Sequence, residues 1–372
     1  MTMTMSDADQ RVASGQAWAE FCDAMKRAGD QILRPETPAD PFNRAEGFRY
    51  LSRLVRAGLE WYVEFNDPAF PVLYKPSHET IKIGADNPDN IYEKAVLDGS
   101  CDYRVRGTRG TVHYISMATS KGSYAENFRQ IETGFVDSNQ LALNPDGSFE
   151  VILSSTPKPG NWLPTDPDSQ SLLIRQTFLD RKTEIPAQIS IERLDAGSTP
   201  APLTAERFDA NLKTAAAFVE NTARLFCDWS ESYLPRPNEL PPGDQALCQA
   251  VGGDPNIFYY HSYFDLAPEQ FLVIDVPRIP ECRSWNLQAD NYWMESLDYR
   301  YHTIHVNKHT AVLRADGSVR ILIGARDPGL PNWLDTAGHR NGTLCFRWIG
   351  AAEIVHPSAR LATLAELAKE TA

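Results

Sequence analysis

One segment of this chain is written twice, and that constrains its fold more than any other feature. Residues 146–175 run Asp146-Gly147-Ser148, a short β-prone stretch, Asn161-Trp162-Leu163 and Arg175. Residues 316–347 run Asp316-Gly317-Ser318, a similar stretch, Asn332-Trp333-Leu334 and Arg347. The Asp-to-Asn spacing is 15 in the first copy and 16 in the second, and the Asn-to-Arg spacing is 14 and 15. Four anchors in step to within one residue mark a tandem duplication of one β-rich unit.

The surrounding texture agrees. Thr111–Met117, Phe149–Leu153, Ser171–Phe178 and Ala187–Arg193 are β-branched and aromatic runs between turn residues, and strands are expected near 270–276, 283–288, 310–314, 318–323 and 343–348 in the second half. Apolar residues on a 3–4 spacing predict helices over 13–32 and 45–65. Thr204 is placed to cap a longer helix carrying Phe208, Leu212, Ala215, Val219, Phe226, Trp229 and Tyr233, which the proline-rich run at 234–244 ends. A last amphipathic helix is expected at Leu361–Leu367. No helix alternates strand by strand, which argues against a parallel α/β sheet. The expected class is mainly β with flanking helices (α+β), as duplicated antiparallel β-sandwich or jelly-roll-like units. The corresponding division is a helical segment at 1–69, a first unit at 70–200, a bridging helix and linker at 201–243, and a second unit with its C-terminal helix at 244–372.

Composition narrows the partners. A net charge of −13 without a long Lys/Arg run opposes nucleic-acid binding. The first ten residues lack a basic-then-apolar leader and no stretch approaches 18 apolar residues, so a cytoplasmic protein without membrane contact is expected. Six cysteines at wide, irregular intervals, with no CxxC, suit free thiols. No P-loop, GxSxG elbow, HExxH or GxGxxG after a strand is present, so no cofactor is expected.

The stretch Ala325-Arg326-Asp327-Pro328-Gly329-Leu330-Pro331-Asn332-Trp333-Leu334-Asp335 continues through His339 to Gly342-Thr343-Leu344 and Arg347-Trp348. With Asn291-Tyr292-Trp293, Glu295 to Tyr299 and Asn307, it resembles the domain-of-unknown-function 1214 family. The likeness is close over residues 270–350, and residues 103–193 look like a degenerate second copy. It implies a jelly-roll-like sandwich with attached helices and almost nothing about a reaction.

Chemistry is concentrated in the second copy. Asp335, His339 and Arg340 stand where the first copy has Pro164, Asp168 and Ser169. Asn332-Trp333 reads either as a loop tie with a packing Trp or as the wall of a pocket. Residues 291–302 are the densest aromatic and titratable run, with Asn291, Tyr292, Trp293, Asp298 and Tyr301, together with Trp285, as candidate substrate contacts. His302, His305 and His309 have helical spacing for a metal, but His305-Val306-Asn307 reads as strand, on which His302 points away; no metal is expected there. The reading is a cofactor-independent lyase or isomerase acting on a bulky oxygenated aromatic or polycyclic small molecule, in a homo-oligomer. Asp335, His339 or His302 would remove a proton, Tyr299 or Tyr259 would donate one, and Arg300 or Arg347 would hold an oxyanion. The alternatives are a non-catalytic protein that binds a carbohydrate or a partner, and a metal-dependent hydrolase using the three histidines.

Overall fold

The computed structural model describes residues 5–370. The chain opens with α1 (Asp7–Ala13), α2 (Gln16–Ile32) and α3 (Pro41–Leu59). Asp40 caps α3, its carboxylate accepting from the N–H groups of Phe42 and Asn43 at 3.1 Å, with Pro41 already set for the first turn. At its far end α3 widens into a π-turn, Glu60–Glu64, which carries Trp61.

Eight strands follow: β1 (Asn90–Val96), β2 (Tyr103–Thr108), β3 (Tyr114–Lys121), β4 (Ile131–Asp137), β5 (Ser148–Ser154), β6 (Trp162–Pro164), β7 (Ser171–Thr177) and β8 (Gln188–Arg193). After the long α4 (Ala205–Tyr233) and the short α5 (Gln245–Ala250) come eight more. These are β9 (Ile257–Asp265), β10 (Gln270–Val276), β11 (Ser284–Asp290), β12 (His305–Asn307), β13 (Val319–Gly324), β14 (Trp333–Asp335), β15 (Asn341–Ile349) and β16 (Ser358–Thr363), with α6 (Leu364–Glu370) last.

The sheets run β1-β7-β3-β4 and β6-β5-β2-β8 in the first half, then β12-β11-β15-β9 and β14-β13-β10-β16 in the second. Shifting every strand of the first half by eight gives the second half's two orders, so the duplication extends over the whole sandwich. Thr204 caps α4 through a bond from the Arg207 N–H, and α4 packs along both α2 and α3.

Three expectations change. Residues 310–314 are not a strand: Val312 exchanges bonds with the Asn332 side chain, a substitute for a ladder that ends the extended run at Asn307. Leu361–Thr363 completes β16, where Leu361 pairs with Leu272, and the helix begins only at Leu364. Pairing is antiparallel except that β6 and β14 each lie parallel to the strand before them. Among the described residues no helix is long and apolar enough to cross a membrane.

Alternation along the strands decides what reaches the centre of the molecule. Leu172 and Ile174 of β7 point into the first sandwich core, which leaves Leu173 and Arg175 on the opposite face. Leu344, Phe346 and Trp348 of β15 fill the second core, which leaves Cys345 and Arg347 opposite. Strands β11 and β15 are nevertheless buried almost throughout, so their second faces are covered too. What covers them is the other repeat and the helical layer.

Candidate functional site

The two outward-turned sheet faces and α4 enclose a cavity of about 170 Å³. Tyr92, Lys94 and Arg175 line it from the first repeat; Tyr259, His261 and Arg347 line it from the second. Ladder register shows that these are equivalent positions, since Tyr92 lies opposite Arg175 on β1 and β7, and Tyr259 lies opposite Arg347 on β9 and β15. Lys94 and His261 each follow their tyrosine by two residues, on the same face. Phe218, Phe226 and Trp229 of α4, with Trp61 of the π-turn, supply an aromatic side. Phe226 reaches the wall because residue 84 is glycine: a Cβ there would lie 2.6 Å from the Phe226 ring, and φ is +64°.

Each tyrosine is held alike. The Asn87 N–H donates to the Tyr92 hydroxyl at 3.0 Å, and the Asp254 N–H donates to the Tyr259 hydroxyl at 3.0 Å. Each phenol oxygen therefore already accepts a bond, and among the described residues neither phenolic proton has an acceptor. Each arginine reaches the opposite repeat: Arg175 Nη2 donates to the Gly252 carbonyl at 2.6 Å, and Arg347 Nη2 donates to the Ala85 carbonyl. Those carbonyls belong to residues with positive φ, two positions before Asp254 and Asn87.

The arginines differ in their other bonds. Across from Arg347 and Cys345, β11 offers Asn286 and Gln288, whose side-chain oxygens accept from Arg347 Nη1 at 3.3 and 2.6 Å. Across from Arg175 and Leu173, β3 offers Ser116 and Ala118, which give Arg175 nothing. Lys94 has one bond, to Gln130 Oε1 at 3.3 Å. Among the described residues neither Arg175, Arg347 nor Lys94 has a carboxylate partner within ion-pair distance.

Electrostatics follow from this enclosure. Burial, assisted by the Arg175 charge, pushes the Lys94 ammonium down to about 8. Burial and the Arg347 charge push His261 down to about 3, so its ring is neutral at ordinary pH. Burial raises both tyrosines above their ordinary value, keeping them protonated. His261 stacks between Tyr233 and Tyr259, with ring centroids 6.0 Å from each. Its Nδ1, and the indole N–H groups of Trp61 and Trp229, are buried at this cavity without a partner among the described residues.

Of the residues singled out from sequence, Tyr259 and Arg347 reach the cavity and the rest do not. His302 Nδ1 meets Asp335 Oδ2 at 2.7 Å near the surface. His339 is buried against Phe42, its Nδ1 at 2.9 Å from the Thr336 carbonyl, and burial lowers its pKa. Tyr299 lies under the Lys82 ammonium at 4.4 Å, Arg300 pairs with Asp298, and Tyr301 is exposed. Asn332 and Trp333 tie their loop, the amide donating to the Val312 and Arg320 carbonyls and the indole to Gly324; Asn161 and Trp162 repeat these bonds. Asn291, Tyr292 and Trp293 form a buried turn against the helices, where Trp293 packs so closely on Gly47 that a Cβ would lie 2.5 Å away. Trp285 is core, beside Phe346 and Trp348.

The three spaced histidines go to three different carboxylates: His302 to Asp335, His305 to Asp89 at 3.1 Å, and His309 to Asp180 at 3.8 Å. Asp89 also accepts from Asn286 and Asn307, bonding the first repeat to the second. Burial alone would raise its pKa, but the His305 charge and these bonds hold it below the usual carboxylate value.

Lys94 goes unnoticed in the sequence and Arg175 enters only as an anchor of the repeat, yet a signal for both, and for His261 as their counterpart, exists. Asn87-Pro88-Asp89 precedes Tyr92 and Lys94 with the spacing by which Asp254-Pro255-Asn256 precedes Tyr259 and His261. This is the same duplication, further upstream than the Asp-Gly and Asn-Trp anchors.

The family model described as "Protein of unknown function (DUF1214)" matches residues 89–177 and 267–353. A solved structure of an uncharacterised protein from Burkholderia cenocepacia is 58% identical, covers 96% of this chain and 99% of that one, and superposes with a TM-score of 0.95. The VPA0106 protein from Vibrio parahaemolyticus is 12% identical, with 85% of this chain and 98% of that one covered and a TM-score of 0.49. No curated protein is significantly similar. With both repeats matched, and with the fold shared along almost the whole of a 58% identical relative, this chain belongs to the DUF1214 family.

Proposed function

We propose that the protein is a proton-transferring enzyme, a lyase or isomerase, and that its substrate is an oxygenated aromatic or polycyclic small molecule held in the central cavity. The observation that carries this reading is Tyr259 beside His261 and Arg347 in a cavity with one aromatic side. The Tyr259 hydroxyl has its lone pair engaged and its proton free to donate to a substrate oxygen. Neutral His261 presents an unpartnered Nδ1 as proton acceptor, and the Arg347 charge stands where it would stabilise an oxyanion. An anion forming in the cavity also acts against the burial and the Arg347 charge that hold the imidazole neutral, which strengthens it as a base during the reaction. The expectation built around Asp335, His339 and His302 gives way here to a site that only one of the proposed proton donors, Tyr259, shares.

The test is a panel of oxygenated aromatics and polycyclics, scored for turnover and for quenching of protein fluorescence. Tyr259→Phe and His261→Gln should each slow a turned-over substrate by on the order of 100-fold, with binding retained. Full turnover in both variants would place the chemistry elsewhere. Tight binding with no turnover across the panel favours the non-catalytic binding protein.

A further inference from the structure

We infer that the ligand carries one carboxylate, and that Arg175 with Lys94, on the first repeat, is the subsite that takes it. This rests on the central cavity being the ligand site and adds the charge of the ligand and its direction within that site. Arg175 and Lys94 share one face of the paired strands β1 and β7, and among the described residues each side chain makes one hydrogen bond. A guanidinium bonded through a single Nη keeps most of its five N–H donors, and their planar fork matches a carboxylate. Two half-buried cations that line a cavity and have no carboxylate partner within ion-pair distance among the described residues are costly to the folded protein, and a ligand anion relieves that cost. The equivalent positions of the second repeat do not offer the same site. Arg347 is held by Asn286, Gln288 and Ala85, and the residue matching Lys94 is the neutral His261. The anionic end of the ligand therefore lies against the first repeat and the reacting end against the second, with the aromatic body along Trp61, Phe218 and Phe226.

The experiment measures binding of benzoate, 4-hydroxybenzoate and 2-naphthoate to the full chain by calorimetry, each against its neutral carbinol and against inorganic phosphate. At pH 7 the carboxylates should bind at least tenfold more tightly than the carbinols. Arg175→Met and Lys94→Met should each remove most of that preference while circular dichroism and the melting profile show a folded protein, and Arg175→Lys should restore part of it. Carbinols bound as tightly as carboxylates would sink the anion subsite and leave the acid–base reading standing. An unchanged preference in the Arg175→Met/Lys94→Met double variant, or phosphate binding with the same dependence on both residues, would also overturn it. No binding by any member of the series would remove both this inference and the cavity reading on which it rests.

Discussion

Arg175 and Arg347 occupy the same place in two copies of one sandwich, and they do different things because their neighbours on the adjacent strand differ. Asn286 and Gln288, with the Ala85 carbonyl, hold the buried Arg347 guanidinium by three bonds and join the second repeat to the Ala85 turn of the first. Ser116 and Ala118 leave Arg175 with one carbonyl and spare donors. Duplication supplied two identical cations; two short side chains on β3 left one of them available for a ligand. A residue's role in a repeat is thus set by the strand next to it, and not by its own identity.

The comparison breaks most readily through stability. Arg347→Met should cost about 3 kcal/mol or more, because it leaves three buried acceptors unpaired, whereas Arg175→Met should cost under about 1 kcal/mol. Chemical denaturation of the two variants measures this, and equal losses would show that both arginines are structural. Next in size is the roughly 100-fold rate loss expected for Tyr259→Phe. Tyr92→Phe should cost less than about tenfold, since the first repeat has no neutral histidine beside its phenol. Matching losses for the two tyrosines would erase the division of labour between the repeats.

The pH dependence should also separate the repeats. Lys94, lowered to about 8, is charged below that pH and neutral above it, so carboxylate affinity should hold to about pH 7 and fall as pH rises past 8. The turnover number should stay flat over the same range, because His261 is lowered to about 3 and Tyr259 raised above its ordinary value; neither titrates there. A turnover number that changes with an apparent pKa near 8 would mean that Lys94 acts in the chemical step.

A sharper test gives the first repeat the second repeat's neighbours. In Ser116→Asn/Ala118→Gln, the new amides should engage Arg175 and weaken carboxylate binding about threefold, a change of about 0.65 kcal/mol. The smallest effect belongs to the surface pair: His302→Gln should leave stability within about 0.5 kcal/mol and turnover unchanged, since the ring meets Asp335 near the surface and outside the cavity.

Much of this architecture is legible in sequence because it is local. The 3–4 spacing in α4, its Thr204 cap, the Asp-Gly turns and the repeated Asn-Trp all act within a few residues, and the repeat states the fold twice. The short strand His305–Asn307 shows where local reading fails. β propensity suggested a further strand at 310–314, but the Asn332 side chain, some 20 residues away, takes those backbone bonds instead.

By itself the sequence determined that there are two β units, a helical layer, and one conserved-in-both-copies arginine per unit. Only tertiary structure decided which polar residues meet. Tyr92, Lys94 and Arg175 come together through antiparallel register between β1 and β7, some 80 residues apart, and the facing set comes from the other repeat. The aromatic and titratable run at 291–302 was dense in sequence because it builds a buried turn against the helices and a paired surface, while the cavity draws single residues from many strands. Burial then fixed their charge states, pushing Lys94 and His261 down and the tyrosines up, and burial is a property that no local spacing contains.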